Sequence, residues 1–392
     1  MTGPYRFLYH HRIRAEDGQA VHVREMIGAL RQAGHEVREC ALVPKAEASP
    51  GAPRRGGLWQ RLRLPRACVE VLEVLYNRRG RSMLLEAARG FRPHFVYERH
   101  ALHCRAGLDV ARVLGVPLLL EVNSPMVAEM KRLGSLRLPA RATATERDVL
   151  GGADAVLAVT RVLADLLAAS GARSDRLHVI GNGADPSRYG DAAQEAARAV
   201  RARWQLPQGG VAVGFVGYVR PWHKLELMLD AMGRPALQAL VFVLIGDGPA
   251  LPWVLDRARE LGLQDRVKAL GDVPPALLPA HVLACDGALI PAINAYASPL
   301  KLFDALAAGV PVLAPDQPNL HEYVKQGETA LLFKPGDSGD LAQQLHRLVH
   351  ERAFAVELGQ AGRRMLLQQR WTWAGNAERV LDVCARLGRG VS

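Results

Sequence analysis

The stretch AYASPLKLFDALAAGVPVLAP, from Ala295 to Pro315, contains a polar turn, a short helix and an apolar strand in that order. The apolar spacing predicts the helix from Leu300 to Ala308, and the strand follows from Pro311 to Ala314. Backbone N–H groups at the positive end of such a helix can bind phosphate. Asp304 shares a helix face with Lys301, so a hydroxyl-binding carboxylate lies beside a cation. The pattern suits a nucleotide diphosphate with its ribose, but an ordinary loop–helix–strand unit has the same pattern.

The whole chain has 392 residues, a length that indicates two or three domains. The composition, 49% hydrophobic and 23% charged, indicates a globular protein. A net charge of +11 implies acidic partners, which are nucleic acid, an anionic membrane or phosphorylated small molecules. Five cysteines without a CxxC spacing indicate neither a disulfide framework nor a zinc site, so we expect a reducing cytoplasm. No apolar run has the length of a membrane-spanning helix, so we expect a soluble or peripheral protein.

The first half of the chain alternates strands with helices. A strand is predicted from Tyr5 to Tyr9, a polar loop HHRIRAEDG follows and ends at Gly18, and the helix Gln19 to Ala33 leads into a strand from His35 to Leu42. Such strand–loop–helix–strand units form parallel sheets whose ligands bind at the carboxyl ends of the strands. His22, on the first helical turn, either faces that ligand or is a surface or capping residue.

The later strands of this half end in polar residues. Strands are predicted within Pro93 to His100, Val116 to Pro125, Ala153 to Thr160 and Arg176 to Asp185. The second of these ends in Glu121, Asn123 and Ser124. Because carboxyl ends of parallel strands meet at one edge, the polar groups are expected to gather where a ligand of an open α/β domain binds.

The segment LPQGG, near residues 206 to 210, indicates a boundary, after which a second parallel series begins. The predicted fold is therefore α/β, with two doubly wound, Rossmann-like domains facing a central cleft. We expect an acceptor-binding domain over residues 1–205, a nucleotide-sugar-binding domain over 206–375 and a final helix over 376–392 that crosses back to the first domain. Ligands favour clefts at domain interfaces.

The segment from Arg54 to Arg81 has eight arginines against two acids. Leu58, Trp59, Leu62 and Leu64 are interleaved with its first arginines. Arginines combined with Trp and Leu are typical of a peripheral contact with an anionic membrane. A solvated, arginine-rich face has the same composition, and both interpretations stay open.

Four features of the second half lie at predicted strand ends. GYVRPWHK contains Arg220 and Lys224, IGDGPAL forms a glycine turn, LGDVP ends near Val273, and the opening stretch contributes Ser298 to Asp304. All four are expected to surround one pocket, because the strands of a parallel sheet end at the same edge.

Eight runs in order resemble the retaining glycosyltransferases of family 4, which have the GT-B fold. These runs are GQAVHVREMIGALRQAGHEV, ADAVLAVT, VIGNGAD, VGYVRPWHKLELMLDA, LIGDGPAL, VKALGDVP, SPLKLFDALAAGVPVLAP and HEYVKQGETALLFKPGD. The SPxKLFxxxAxG form is similar to that of a polysaccharide-synthesising subgroup. The resemblance implies metal-independent transfer of a sugar from a nucleotide diphosphate-sugar to a hydroxyl of a glycan, lipid-linked or other small acceptor. No cofactor is implied, because the nucleotide sugar is a substrate.

The resemblance also implies roles for individual residues. Arg220 and Lys224 would contact the donor's diphosphate and stabilise the negative charge that develops on it. The other residues on the donor side are Val273 for the base, Ser298, Pro299 and Leu300 as amide donors to the phosphates, Lys301 for part of the phosphate, Asp304 for the ribose hydroxyls, and Gly18 for close approach. The acceptor side has His22, Asn123 and Arg99.

The chain departs from the family pattern at two places. Tyr296 and Asp304 stand where many members have two glutamates, which leaves the sugar undetermined. Asn123 stands where many members have a histidine, with His100 and His103 as alternatives that the sequence does not rank. Without a side-chain base, the departing phosphate would accept the acceptor's proton in a front-face attack.

Two other functions stay open at this point. A nucleotide-sugar epimerase of the same fold needs a pair of acid/base carboxylates, and no obvious pair is present. A non-enzymatic protein that binds nucleic acid or an anionic surface would use the arginines. Nucleic acid is not the expected partner, because no aromatic platform for bases is interleaved with them.

Overall fold

The computed structural model describes residues 3–13, 18–41 and 65–388. Contacts within the chain divide it into two compact units. The first comprises Met1–Ile180 and Ala377–Ser392, and the second comprises Gly181–Asn376. Each unit contains one six-stranded sheet.

The first unit alternates strands and helices along the chain. Its elements are β1 (Arg6–His11), α1 (Gly18–Gln32), β2 (Glu36–Ala41), α2 (Arg66–Ala88), β3 (Phe95–Arg99), α3 (Ala106–Leu114), β4 (Leu118–Val122), α4 (Met126–Arg132), α5 (Pro139–Gly152), β5 (Ala155–Ala158), α6 (Arg161–Ala169) and β6 (Leu177–Val179). All pairs are parallel, and the order is β2-β1-β3-β4-β5-β6. Strands β3 and β4 are buried throughout, as expected for a parallel sheet covered on both faces.

The second unit has the same plan. Its elements are α7 (Asp191–Arg203), β7 (Val211–Val216), α8 (Glu226–Met232), β8 (Leu240–Ile245), α9 (Leu251–Glu260), β9 (Val267–Ala269), α10 (Leu278–Leu283), β10 (Gly287–Leu289), α11 (Leu300–Ala308), β11 (Val312–Pro315), α12 (Pro318–His321), β12 (Leu331–Phe333), α13 (Ser338–His350), α14 (Arg352–Gln368) and the start of α15 (Trp373–Gly388). The order β12-β11-β10-β7-β8-β9 is again parallel throughout. From Ala377 onwards α15 belongs to the first unit.

The prediction of two Rossmann-like α/β units is confirmed by the two parallel sheets. The predicted helix from Leu300 to Ala308 is α11, and it ends at Gly309, whose left-handed backbone (φ 69°) forms the C-cap. The division between the units lies at Ile180 and Gly181, before the expected boundary at residues 205 and 206. Helix α7 packs against α10, which places it with the second sheet.

One further expectation is wrong, and another falls partly outside the described residues. His10 and His11 were assigned to the polar loop, but both are buried and continue β1, because each side chain has a carboxylate partner inside the unit. The arginine-rich segment is described only from residue 65 onwards, where its last four arginines lie on α2. Among the described helices, none combines the length and the apolar character needed to cross a membrane.

Candidate functional site

The four strand-end loops of the second unit meet in one place. Backbone hydrogen bonds join the first two loops: Gly217 N–H donates to the Ile245 carbonyl at 2.9 Å, and Val219 N–H donates to the Asp247 carbonyl at 2.8 Å. Gly246 N–H then donates to the Gly271 carbonyl at 2.9 Å, which adds the third loop. The loops quoted as GYVRPWHK, IGDGPAL and LGDVP are therefore held together by backbone contacts.

Glycine is required where the first two loops touch. At Gly246 the backbone has φ 133°, and a Cβ atom there would lie 2.2 Å from the Gly217 carbonyl oxygen. At Gly248, with φ 156°, a Cβ would lie 2.3 Å from the Val219 carbonyl oxygen. A side chain at either position would push the loops apart. The two glycines of IGDGP thus allow the two loops to pack closely. The sequence alone was only weak evidence that this glycine turn has a function.

The turn before α11 is held by two buried asparagines. Asn182 N–H donates to the Ser298 hydroxyl at 3.1 Å, and its side-chain amide donates to the Ser298 carbonyl. The Asn319 side chain donates to the Ala297 carbonyl at 2.7 Å. Leu300 opens the helix, where the first N–H groups of an α-helix have no acceptor within the helix. These bonds orient the first turn of α11 before any ligand arrives.

Ser298, Pro299 and Leu300 were all expected to donate backbone N–H groups to the phosphates, and this is wrong for Pro299. Proline has no N–H group, and Pro299 is the N-cap of α11. The remaining amides of this stretch are those of Ser298 and Leu300. The role of these two amides in phosphate binding stays a prediction.

Lys301 brings α11 to the other loops. Its Nζ atom lies 4.0 Å from the centre of the Phe215 ring at the end of β7, in a cation–π contact. The ammonium also lies beside Gly217, where a Cβ would be at ordinary van der Waals distance, 3.5 Å, from Nζ. Burial lowers the pKa of Lys301 to about 7, since the charged form loses its hydration. A neighbouring anion would restore the preference for the charged form.

Arg220 and Lys224 flank a short 3-10 turn between β7 and α8, as their position after the first strand predicted. Both are exposed. The Arg220 guanidinium lies 5.0 Å from the centre of the Tyr218 ring. Lys224 has a left-handed backbone (φ 51°), an uncommon conformation for a non-glycine residue.

His223, which the sequence analysis did not single out, lies between these cations. Its Nδ1 atom accepts the Arg220 N–H at 3.1 Å, and its ring is 4.9 Å from that of Phe215. Burial, followed by the positive charges of Lys301 and Arg220, lowers its pKa to about 3. His223 is therefore a neutral residue that supports the loop. It contacts both the Arg220 backbone and the Phe215 ring against which Lys301 lies.

Asp304 has a partner that the sequence could not indicate. The Tyr189 hydroxyl donates to its Oδ1 atom at 2.7 Å, over 115 positions of sequence. Burial and then the Asp304 charge raise the pKa of Tyr189, so this phenol remains a donor. Tyr296, which replaces an expected acid, accepts a bond at 2.9 Å from the Asn294 side chain. Val273 is half-buried and packs against the hydrophobic core beneath the sheet.

In the first unit, the three residues assigned to the acceptor side all contact Glu121. His22 Nε2 is 2.9 Å from Glu121 Oε2, the Asn123 side chain donates to Oε1 at 2.6 Å, and Arg99 pairs with the same Oε1. Tyr97 adds a hydrogen bond to Oε2 at 2.8 Å. Only 3% of Glu121 is exposed. The polar strand ends do gather at one edge, and they gather around this carboxylate.

Strand register explains the gathering. Arg99 pairs with Glu121 across β3 and β4, and Tyr9 pairs with Tyr97 across β1 and β3. Alternate residues of a strand point to the same face, so Arg99 and Tyr97 lie on one side together with Glu121 and Asn123. The signal for Glu121 was present in VPLLLEVN, as a charged residue within an otherwise apolar strand.

Glu121 is ionised in this setting. Burial alone would raise its pKa, but the charges of His22 and Arg99, with the hydrogen bonds from His22 and Tyr97, hold it well below the usual range. His22 is buried, so its interpretation as a surface residue is wrong. Gly18 is the exposed first residue of α1. The roles of Gly18 and His22 in substrate binding stay predictions.

The two alternative histidines have different surroundings. The backbone N–H of His100 donates to the Glu121 carbonyl at 2.8 Å, and burial lowers the pKa of its side chain to about 4. His103 Nε2 lies 3.4 Å from Glu70 Oε2 on α2. His103 therefore belongs to a buried polar pair with a glutamate of α2, whereas the backbone of His100 is hydrogen-bonded directly to Glu121.

One further polar group lies on the opposite face of the same strands. His10 Nδ1 is 2.5 Å from Glu98 Oε2, which also accepts the Gly107 N–H at 2.7 Å. A metal ion needs several His, Cys or acidic side chains close together. Within the described ranges, one such group is present, and it consists of His10, Glu98 and Cys104. The Glu98 oxygen already has two donors, and burial raises the pKa of Cys104, which favours the neutral thiol. The geometry is that of a buried hydrogen-bonded network.

Fold and site together define the class: a GT-B protein of two Rossmann-like units, with cations and a helix N-terminus at the strand ends of the second. The model of the family Glycosyl transferases group 1 matches residues 196–365, and that of Glycosyltransferase Family 4 matches residues 17–188. The 2-deoxystreptamine glucosyltransferase of Streptomyces kanamyceticus is 30% identical over 273 residues, which cover 67% of this chain and 69% of that protein.

Two other similar proteins extend over more of the chain. The GDP-mannose-dependent alpha-mannosyltransferase of Mycobacterium tuberculosis is 28% identical over 366 residues, which cover 91% of this chain and 89% of that protein. The structure of HepE from Anabaena in complex with UDP has the same fold, with a TM-score of 0.70 and 17% identity over 97% of this chain and 100% of that one. The chain therefore belongs to the glycosyltransferases of group 1 and family 4, and it is an enzyme of that type. A non-enzymatic basic protein is excluded.

Proposed function

We propose that this glycosyltransferase binds a nucleotide diphosphate-sugar at the strand ends of its second unit and transfers the sugar to a hydroxyl acceptor with retention of configuration. The observation that carries the proposal is the position of the Lys301 ammonium, beside Phe215 and Gly217, on the helix that begins at the asparagine-held turn. The cations Lys301 and Arg220, together with the N-terminus of α11, are groups that bind a diphosphate.

In the proposed step, the bond between the sugar's anomeric carbon and the β-phosphate oxygen breaks, and the acceptor oxygen forms a new bond to that carbon. Negative charge develops on the departing nucleoside diphosphate. Arg220, Lys224 and Lys301 stabilise that charge without needing a metal ion, because they are positioned before the reaction starts. The acceptor's hydroxyl proton moves to the departing phosphate oxygen.

Front-face attack is proposed because the carboxylates in the two clusters already have partners. Asp304 accepts the Tyr189 hydroxyl, and Glu121 is buried among Arg99 and other donors. Neither is arranged as a free nucleophile for a covalent sugar intermediate. Asp304 is instead proposed to bind the ribose, with Val273 contacting the base through its backbone.

The acceptor side is proposed to lie at the Glu121 cluster, with His22, Asn123 and Arg99 oriented by that carboxylate and Gly18 allowing close approach. The similar proteins indicate the classes of substrate to test. HepE was solved with UDP, one relative is named as dependent on GDP-mannose, and another as acting on 2-deoxystreptamine. A hydroxyl of a glycan, lipid-linked or small polyol acceptor is consistent with these, and polysaccharide synthesis is one such pathway class. The unpaired state of all five cysteines supports a reducing cytoplasm as the location.

The first experiment is a thermal-shift comparison of UDP-glucose with GDP-mannose. A donor at about 100 times its dissociation constant stabilises the protein by about 2.7 kcal/mol, so the correct nucleotide is readily recognised. Release of nucleoside diphosphate is then measured for Arg220→Ala and Lys224→Ala. Each variant is expected to lose at least about 100-fold in rate.

The matched control is Arg198→Ala, which removes an exposed arginine from α7. It is expected to retain the wild-type rate. Retained turnover in both Arg220→Ala and Lys224→Ala rejects the site. For the stereochemical part, proton NMR of the first product formed from an α-linked donor is expected to show an α-linkage, and a β-linked product rejects retention.

A further inference from the structure

The outer face of α2 exposes large apolar side chains in successive turns. Val71 is 47% exposed, Leu72 55% and Leu75 53%. The opposite face of the same helix is buried through residues such as Tyr76 and Leu84. A soluble surface seldom gathers three such residues on one helix unless the patch binds something.

Arginines continue this face in the next turns of α2. Arg78, Arg79 and Arg81 are all exposed, and no described acid lies within ion-pair distance of them. Of the three acids of α2, Glu70 is buried and Glu73 half-buried, whereas Glu86 is exposed five positions beyond Arg81. The exposed face therefore combines three apolar side chains with three arginines and one glutamate, which leaves an excess of positive charge.

A second basic segment adjoins the first turns of α2. The buried Glu70 carboxylate accepts the N–H groups of Arg137 at 2.8 Å and Leu138 at 2.7 Å, which ties the loop between α4 and α5 to the helix. Just before it, Leu133 is 66% exposed, next to the exposed Arg132. The loop and the helix thus lie side by side, and each exposes apolar side chains together with cations.

We propose that these two segments form a membrane-docking face for an anionic lipid leaflet. The face consists of Val71, Leu72, Leu75, Arg78, Arg79 and Arg81 on α2, together with Lys131, Arg132, Leu133 and Arg137. Leucine and valine side chains enter the boundary between headgroups and acyl chains, while arginines reach the phosphates. Charge complementarity selects the anionic leaflet, because each cation near such a surface strengthens the attraction.

The docking face is separate from the candidate donor site, which lies in the second unit. A variant that loses membrane binding is therefore expected to keep nucleotide-sugar binding. A variant that loses nucleotide-sugar binding is expected to keep membrane binding. The face also differs from the segment singled out in the sequence. That segment extends into residues 42–64, which are outside the described ranges, whereas the docking face includes residues 131–137, which no pattern in the sequence connected with it.

Cys68 offers a direct reporter on the same helix. It is exposed, whereas the other four cysteines are buried, so a maleimide fluorophore attaches at this position. With the full chain labelled in this way, vesicles of phosphatidylglycerol and phosphatidylcholine are expected to shift the emission to shorter wavelength. Vesicles of phosphatidylcholine alone are expected to cause little shift. Sedimentation of the unlabelled protein with the same vesicles measures the partition coefficient.

Two double variants test the two parts of the face. Arg78→Gln with Arg79→Gln is expected to lower the partition coefficient about 30-fold, because each arginine near an anionic leaflet contributes about fivefold. Leu72→Gln with Leu75→Gln is expected to lower it about tenfold or more by removing apolar groups from the interface. All four side chains are exposed on the helix, so the thermal melting temperature of both variants is expected to stay near that of the wild type.

The matched control is Arg198→Gln with Arg203→Gln, which removes the same charge from exposed positions of α7. An equal loss of binding in the control would overturn the docking face, as would equal binding to neutral and anionic vesicles. A dimer that the Leu72→Gln and Leu75→Gln pair dissociates, in a protein that does not bind vesicles, would identify the face as a contact between copies and overturn the lipid assignment.

Discussion

The charge state of Lys301 predicts how donor binding depends on pH. Burial lowers the pKa of this lysine to about 7, so the ammonium is about three quarters protonated at pH 6.5 and about one tenth protonated at pH 8.0. A bound diphosphate favours the protonated form and raises the pKa again. Binding therefore takes up a proton over this interval, and affinity falls as the pH rises.

The size of the effect follows from the two protonated fractions. If the complex keeps Lys301 charged up to pH 8.0, the affinity at pH 8.0 is about eightfold lower than at pH 6.5. His223 does not contribute, because its pKa of about 3 leaves it neutral at both values. The phosphodiester-like diphosphate of a nucleotide sugar keeps its charge over the same interval, so the lysine is the group that titrates.

Isothermal titration calorimetry with UDP-glucose and with GDP-mannose, at both pH values, measures the effect. Lys301→Met retains an apolar stem beside Phe215 but has no charge, so it is expected to bind weakly and without this pH dependence. Wild-type affinity that is constant or rises between pH 6.5 and 8.0 would refute the reasoning. An eightfold fall that persists in Lys301→Met would assign the titration to another group.

Three further outcomes are expected. Tyr189→Phe removes the hydroxyl that donates to Asp304 and is expected to lower the free energy of unfolding by about 1 kcal/mol in urea titrations; no loss would show that this bond contributes nothing. Glu121→Gln leaves a buried guanidinium without its ion partner and should cost about 3–5 kcal/mol at neutral pH. Because the folded-state pKa of Glu121 lies below its ordinary 4.5, the stability it contributes is present above pH 4.5 and lost as the pH falls further, so the difference between wild type and variant should shrink there; a constant difference contradicts this. Gly246→Ala, with φ 133° and a Cβ 2.2 Å from a carbonyl oxygen, should lower the stability by about 1–3 kcal/mol or more, whereas Gly28→Ala, within α1 and with no atom inside 4 Å, should be neutral or stabilising; equal melting temperatures would contradict the close approach of the loops.

Most of the fold could be predicted from the sequence. The helix from Leu300 to Ala308 was predicted with its observed ends, because its apolar spacing and the glycine that follows it are local signals. The end of β1 was missed, since His10 and His11 look like loop residues until their buried carboxylate partners are known. The division between the units was also missed, because it depends on which sheet α7 packs against rather than on composition.

The candidate site was predicted in part. Arg220 was identified from its position after a strand, and Lys301 from its helix and the motif around it. The structure joins both residues through His223 and the Phe215 ring. His22, Arg99 and Asn123 were each placed at one edge of the first sheet. Glu121, the carboxylate that they share, was noted only as a polar strand end, because its partners come from separate strands and a helix.

The sequence by itself determined the alternation of strands and helices, the parallel sheets and the approximate positions of the strand-end loops. These depend on hydrophobic period and on turn residues, which act over a few positions. Tertiary structure decided that Tyr189 meets Asp304 across 115 positions and that Lys301 has its pKa lowered to about 7. The contact results from strand register, which brings distant residues together, and the lowered pKa results from burial, which removes water from the ammonium. Neither register nor burial can be read from a short stretch of the chain.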